Sequence, residues 1–222
     1  MSRLVWGLTF FRFDNIHYVD QAMLEGLNLA EFEVVDRIRA RRVPGPLQAL
    51  DLTLLHSLPV ADGWNLFLGS IRAKTTLPAA FRKLLIYRVA ICNSAWYEWD
   101  DHVTLAMRVG LSAEAMELIK QRNLSNVDST QQEKAGMGNG EWAALMITDE
   151  MTNNVKVREE RFRKLQEHFG SRELVEIIAT IGCYNCVSRF LLALDVGERN
   201  ETDLGLSEDN DTTASSPQAA YF

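Results

Sequence analysis

Two ionisable residues one helical turn apart, Glu98 and His102, have the types and the spacing that acid/base chemistry requires. On a helix, positions 95, 98, 102, 105, 106 and 109 share one face, and apart from this pair that face is small and apolar. Because a buried charge is costly without a partner, we expect the two side chains to pair with each other or with another polar group. A carboxylate that accepts the imidazole N–H fixes the ring tautomer and raises its basicity, so the spacing predicts a proton-transfer pair. A purely structural pair in a core or a subunit interface is the alternative.

A second set of polar residues interrupts the longest apolar run, which extends from Leu174 to Val196. Asn185 and Arg189 are four residues apart and Tyr184 lies beside them, so a helix would carry a polar stripe on an otherwise apolar, buried face. Since arginine keeps its charge, a buried Arg189 needs an anion, and either Glu98 or a substrate carboxylate would serve. A structural salt bridge is the alternative to this binding role.

Three cysteines, Cys92, Cys183 and Cys186, are the other candidates for chemistry. The last two have the C-x-x-C spacing, but a four-cysteine zinc site needs a second such pair, and no histidine lies nearby in the sequence. Cysteines in the middle of an apolar helix are usually inert, so we predict neither a redox function nor a bound metal. An odd number of cysteines in apolar surroundings is typical of a reducing compartment and favours a cytoplasmic protein.

Several aromatic residues and one further histidine could line a pocket. Trp64 and Trp96 are candidates for its wall together with Trp99, although tryptophans near apolar faces are more often part of the core. His56 lies where Pro59 is expected to stop a helix, and it is either a residue of that helix end or part of the site.

The elements that must position these residues are predicted to be helices. One helix begins with Thr76 as its N-cap and Pro78 in its first turn. Ser94 is expected to cap the next helix, 95–109, which Gly110 ends, and Ser112 is expected to cap a third.

The remaining segments are predicted from their periodicity and composition. Helices are expected over 16–42, 141–153 and 155–169, and a last long helix is expected to follow Ser171 as its cap; 121–140 is expected to be a loop. The arginines of the first segment are interpreted as a solvated face, namely Arg37, Arg39, Arg41 and Arg42. From Glu198 the chain is acidic and then rich in Ser and Thr, which predicts a disordered tail.

Composition and charge exclude several classes of protein. The chain has 222 residues, of which 47% are hydrophobic and 24% charged, as in ordinary folded globular proteins. A net charge of −7 gives no basic surface for nucleic acid, so we expect no such partner. The first residues do not fit a secretory signal, and Arg189 in the middle of the longest apolar run disfavours a membrane span.

Three stretches of the chain resemble the carboxymuconolactone decarboxylase and alkylhydroperoxidase superfamily. LLHSLPVADGWNLFLGSIR and LPAAFRKLLIYRVAICNSAWYEWDDHVTLAMRVGLS are similar to its core, and SRELVEIIATIGCYNCVSRFLLALDV is similar to its closing helix. The resemblance implies an all-α, alkylhydroperoxidase-like helical bundle, usually assembled as a trimer or hexamer. The domains expected from it are an N-terminal helical extension over 1–46, the family domain over 47–197, and the tail over 198–222.

The redox members of this superfamily carry two cysteines ahead of a histidine. The positions that correspond here are Ala95 and Glu98, counted back from His102, and Lys83 stands where those members have a proton-relay glutamate. The chain therefore resembles the non-redox branch, whose members decarboxylate or rearrange small carboxylated or lactone substrates. Because the sequence has no glycine-rich phosphate loop and no convincing metal cluster, we expect no cofactor.

This resemblance and the two polar sets together predict a mechanism. Arg189, with Asn185 or Tyr184, would hold the oxyanion or carboxylate, and His102, oriented by Glu98, would protonate the carbanion left by loss of carbon dioxide. An isomerase, cyclase or hydrolase acting on a larger, polyketide-like molecule is one alternative. A non-catalytic binding or assembly protein, in which the polar pairs only fix helix register, is the other.

Overall fold

The computed structural model describes residues 17–97, 106 and 108–198, and these residues contain ten α-helices, one 3-10 turn and no strand. The predicted all-α class is thereby confirmed. The helices are α1 (Gln21–Glu25), α2 (Leu29–Arg42), α3 (Ala49–Leu54), α4 (Leu58–Ala73), α5 (Ala79–Cys92), α6 (Ala113–Lys120), α7 (Ser129–Lys134), α8 (Asn139–Asn154), α9 (Glu159–Gln166) and α10 (Ser171–Ala193). The predicted tail beyond Glu198 lies outside the described residues.

Helix α5 is the centre of the bundle. Its residues are buried on almost every side, from Phe81 and then continuously from Leu84 to Ile91, as expected of a helix surrounded by other helices. It packs against α8 and α10. By length and composition alone α10 could cross a membrane; in the structure it packs on α4, α5 and α8.

Two of the predicted helix ends are confirmed, and two predicted N-caps are wrong. Ser112 caps α6 by accepting a hydrogen bond from the Ala115 N–H at 3.0 Å, and Gly110 has the left-handed φ of +91° predicted for it. The prediction that Ser94 is an N-cap is wrong, because its φ is +54° whereas an N-cap is extended. Thr76 is not the N-cap of α5, since Pro78 occupies that position and Thr76 binds the Glu176 carboxylate instead.

Three further boundaries differ from those predicted. Pro59 lies in the first turn of α4 instead of stopping a helix, which suits proline because the first N–H groups of a helix have no partner within it. The predicted loop 121–140 contains a 3-10 turn and α7, whose start is fixed by a capping box between Asp128 and Gln131. Gly170, one residue before Ser171, is the N-cap of α10.

The N-terminal helices are joined to the bundle by a buried carboxylate. Asp51 on α3 is only 2% exposed and accepts hydrogen bonds from Arg41 at 2.7 Å, from Arg42 at 2.6 Å and from the Gln48 N–H at 2.9 Å. Burial and the neighbouring positive charge of Arg42 lower the pKa of Arg41. The prediction of a solvated basic face is therefore wrong for these two arginines, while Arg37 forms an exposed ion pair with Asp62.

Three distant parts of the chain meet beyond the end of α10. The Gly197 N–H donates a hydrogen bond to the Tyr18 hydroxyl at 3.0 Å, and Gly197 has a φ of +79°. A Cβ atom at this position would overlap Cδ2 of Tyr97, so only glycine fits without displacing that ring. The contact places the chain after α10 beside the residue that precedes Glu98.

Candidate functional site

The predicted catalytic pair, Glu98 and His102, lies outside the described residues and stays a prediction. Ala95 and Ala106, which share the predicted face, are buried, whereas Arg108, predicted on the solvent side, is exposed. In the chain, the pair follows α5, whose last residue is Cys92.

Asn185 is the centre of a hydrogen-bond network at this end of α5, which we call the amide cluster: Asn93, Thr152, Asn185 and Arg189. The amide of Asn185 donates to the Thr152 hydroxyl at 3.0 Å and to the Ile181 carbonyl at 3.1 Å. Its oxygen accepts from the Asn93 amide at 3.2 Å and from the Arg189 guanidinium. An asparagine side chain has two donors and two acceptor sites, and all four are used.

Arg189 is exposed, so the prediction that it is buried is wrong. Its guanidinium also donates to the Asn185 carbonyl at 3.1 Å and to the Thr152 carbonyl at 3.4 Å. These acceptors are neutral oxygens, and within the described part of the chain Arg189 forms no ion pair. The amide cluster therefore fixes a positive charge at the surface without neutralising it.

Tyr184 faces a different set of residues, between α4, α5 and α10. It is fully buried, and its hydroxyl accepts a hydrogen bond from Nε of Arg72 at 2.9 Å. Tyr87 is also fully buried; burial and the neighbouring Tyr184 raise its pKa, so its hydroxyl stays protonated. Lys83, the residue in the position of the family glutamate, places its ammonium 5.9 Å from the centre of the Tyr87 ring.

The other predicted pocket residues do not form one wall in the described structure. Trp64 contacts Phe190 with ring centres 5.1 Å apart, and its indole N–H is buried without an acceptor among the described residues. Trp96 is a buried core residue. His56 is exposed and contacts the His17 carbonyl oxygen at 2.5 Å, in a groove between α1, α2 and the start of α4. Tyr184 and Trp64 thus belong to the α4 side of α10, and Asn185 and Arg189 to its α8 side.

A buried ion pair, which the sequence did not predict, lies beside the amide cluster. Arg88 on α5 is fully buried, and its guanidinium donates to both carboxylate oxygens of Asp149 on α8, at 2.6 Å for the Nη2 bond. It also donates to backbone carbonyls at the end of α6, including that of Ile119 at 2.8 Å. A charged residue in the middle of a helix that is otherwise apolar on every side was the signal that could have revealed this pair.

A polar cleft of about 180 Å³ opens next to this ion pair. It is lined by Ile91, Cys92, Ser94, Arg122 and Asn153. The Cys92 thiol donates a hydrogen bond to Asp149 at 3.4 Å, and burial raises its pKa to about 12. Cys92 is therefore a thiol at neutral pH and a poor nucleophile.

The cysteine pair of α10 is divided between two environments. Cys183 is buried and Cys186 is exposed, and neither forms a disulfide. Within the described residues no three histidine, cysteine or carboxylate side chains are grouped as metal ligands would be.

Comparison with known proteins identifies the central part of the chain. Residues 59–123 match the model of the carboxymuconolactone decarboxylase family, which confirms the resemblance over that stretch. No curated protein matches the chain. A crystal structure of an uncharacterized peroxidase-related protein from Silicibacter sp. TM1040 has a TM-score of 0.61 and 13% identity, over 75% of this chain and 84% of that one. A variant of the debrominase Bmp8 in complex with 2,3,4-tribromopyrrole has a TM-score of 0.60 and 16% identity, over 82% of this chain and 92% of that one. At these identities the likeness shows a shared alkylhydroperoxidase-like fold.

Proposed function

We propose that this chain, whose residues 59–123 match the carboxymuconolactone decarboxylase family, is a cofactor-independent acid/base enzyme that decarboxylates a small carboxylated or lactone-type substrate. The observation that carries the proposal is the surface guanidinium of Arg189, fixed by the amide cluster without an ion-pair partner in the described structure. The family segment contains Glu98 and His102, which supply the proton-transfer pair.

Arg189 is suited to hold a carboxylate or an enolate oxygen. A guanidinium has five N–H donors arranged in a planar fork, and the neutral oxygens of Asn185 and Thr152 do not cancel its charge. An anionic substrate would supply that missing charge. Because its own hydrogen-bonding capacity is used, Asn185 acts as a positioning residue for Arg189 and not as a direct ligand of the substrate.

The reaction needs one proton donor and one group that binds an anion. When the bond between the substrate and its carboxyl carbon breaks, its electron pair stays on the substrate as an enolate and carbon dioxide leaves. Arg189 stabilises the negative charge on the enolate oxygen, and His102 in its protonated form donates a proton to the carbanionic carbon. Glu98 orients the imidazole and stabilises its positive charge before the transfer.

The second candidate function keeps the same proton donor but releases no carbon dioxide. A neighbour with the same fold is a debrominase, so this scaffold performs more than one kind of chemistry. An isomerase, cyclase or hydrolase acting on a larger polyketide-like molecule would use Arg189 and His102 in the same way. A non-catalytic assembly protein would turn over no substrate.

Replacing Arg189 tests the proposal. With β-keto acids and lactone carboxylates as substrates and released carbon dioxide as the readout, Arg189→Gln is expected to lower kcat/KM at least about tenfold, since a charge-assisted hydrogen bond to the substrate carboxylate or enolate contributes about 1.5–3 kcal/mol. Arg172→Gln is the matched control, because Arg172 lies on the same helix and is itself exposed, and its ion pair is with Glu176. An unchanged kcat/KM for Arg189→Gln would contradict the anion-binding role, and turnover without carbon dioxide would favour the second candidate function.

We also propose a cytoplasmic homo-oligomer, a trimer or hexamer, which the exposed apolar side chains of α4 and α10 support. Val175 is 68% exposed, and Leu66 and Phe67 on α4 are exposed as well. Light scattering of the purified chain is expected to give a multiple of its 25.2 kDa mass, and Phe67→Glu is expected to reduce that mass. A monomeric wild-type chain would contradict the assembly.

A further inference from the structure

A groove of about 400 Å³ lies apart from the amide cluster, between α1, α2 and the turn from α3 to α4. Its lining includes the apolar side chains of Val19, Met23, Leu24, Leu27 and Leu55, with His56 and Glu31 also contributing. A cavity of about 150 Å³ lined by apolar side chains is enough to bind benzene, so this groove has room for more than one aromatic ring. Met23 is 53% exposed in it.

His17, the first described residue, lies beside this groove. The carbonyl oxygen of His17 contacts the imidazole of His56 at 2.5 Å, and the Val19 N–H donates to the Leu52 carbonyl at 3.4 Å. These contacts fix the first described residue beside residues that line the groove. The sixteen residues before it are therefore tethered at this point, and a short tether gives an effective concentration on the order of millimolar.

The sequence of that N-terminal segment is complementary to the groove. It reads MSRLVWGLTFFRFDNI and contains three phenylalanines and one tryptophan within residues 6–13. Since an extended chain advances at most about 3.6 Å per residue, Phe13 is within about 15 Å and Phe10 within about 26 Å of His17. Arg12 lies between these phenylalanines, and the groove presents the carboxylate of Glu31.

We propose that the groove is the docking site of the chain's own N-terminal segment, with the aromatic side chains of residues 10–13 as its occupants. Docking buries aromatic side chains of the segment together with the exposed Met23, and it places Arg12 near Glu31. The segment then links α1 and α2 to the start of α4. This inference is independent of the proposed enzymatic function, because none of the groove residues belongs to the amide cluster or to the predicted catalytic pair.

Limited digestion of the full chain by trypsin tests the docking, because Arg12 is a cleavage site within the docked residues. Cleavage at Arg12 is expected to be at least about tenfold slower in the protein than in a synthetic peptide of residues 1–20, since proteolysis follows the population of the open form. Met23→Asn, which makes the groove more polar, is expected to speed this cleavage severalfold. Leu29→Asn is the matched control, because Leu29 is 80% exposed and does not line the groove.

A second variant, and cleavage at a second site, distinguish loss of docking from a general loss of stability. Phe10→Ser changes only the segment and is expected to speed cleavage at Arg12 as Met23→Asn does, while cleavage at the exposed Arg163 on α9 stays unchanged in both. Wild-type cleavage as fast as that of the peptide would overturn the proposal, as would protection that neither variant reduces. Protection that rises with protein concentration would assign the groove to the segment of a second copy and would overturn docking within one chain.

Discussion

Glu98→Gln and His102→Gln are each expected to lower turnover by about 10²–10⁴-fold, the range that general acid/base groups contribute, while changing the free energy of unfolding much less. Glutamine is nearly the same size as glutamate and keeps some of the hydrogen bonding. The double variant is expected to be little slower than the slower single variant, because groups that act as one unit lose their function together. Turnover and thermal melting measured on the same purified variants provide the comparison.

A structural role for the pair gives the opposite order of effects. Each substitution would then leave a buried partner without compensation, cost about 3–5 kcal/mol of stability, and reduce activity only through unfolding. Unchanged turnover in folded His102→Gln would end the assignment of this pair as the catalytic centre.

Asp149→Asn is expected to be the most destabilising conservative change in the described core, at about 3–5 kcal/mol, because it leaves the charge of the fully buried Arg88 without its counterion. Urea unfolding measures the loss. Asp62→Asn is the matched control, since Asp62 pairs with Arg37 at the surface and such pairs contribute about 0–1 kcal/mol.

Removing both charges separates the contribution of the ion pair to stability from that of the other hydrogen bonds of Arg88. In the double variant Arg88→Met, Asp149→Leu no buried charge remains, so it is expected to recover part of the stability lost in Asp149→Asn. Recovery should be incomplete, because the Ile119 and Gln121 carbonyls lose their donor. Equal stability of Asp149→Asn and Asp62→Asn would show that the buried pair is not a main support of the bundle.

The parts of the fold that the sequence predicts are those decided within one or two helical turns. The apolar residues of α5 and the cap at Ser112 depend on neighbours a few positions away, and the structure has them where the pattern places them. α7 was not predicted, because it is short and has no buried residue and therefore shows no apolar periodicity. Ser94 was misassigned because serine is common at N-caps, whereas here the chain needs a left-handed residue to turn after α5.

The candidate site was predictable as a set of residue types and not as a set of contacts. Asn185 and Arg189 were found from their spacing, but the exposure of Arg189 depends on how α10 packs against α8. The pairing of Arg88 with Asp149 joins residues 61 positions apart, and no local pattern indicates which carboxylate a buried arginine will meet. Tyr184 was predicted beside Asn185, yet adjacent positions on a helix point in different directions, and Arg72 binds it on the other side.

The hydrogen bond between Gly197 and Tyr18 has a consequence for the folding entropy of the chain. It joins residues 179 positions apart, about three times the separation of Arg88 and Asp149. The entropic cost of closing the longer loop is about 1 kcal/mol larger than that of closing the shorter one. Closing a loop of 179 residues alone would cost about 4–5 kcal/mol plus a constant, more than the 0.5–1.5 kcal/mol that one hydrogen bond contributes, so the bond depends on the packing of α10 on α4 and α5. The strap formed by Tyr18 and Gly197 over Tyr97 therefore follows the folding of the bundle, and it is expected to open before the bundle unfolds.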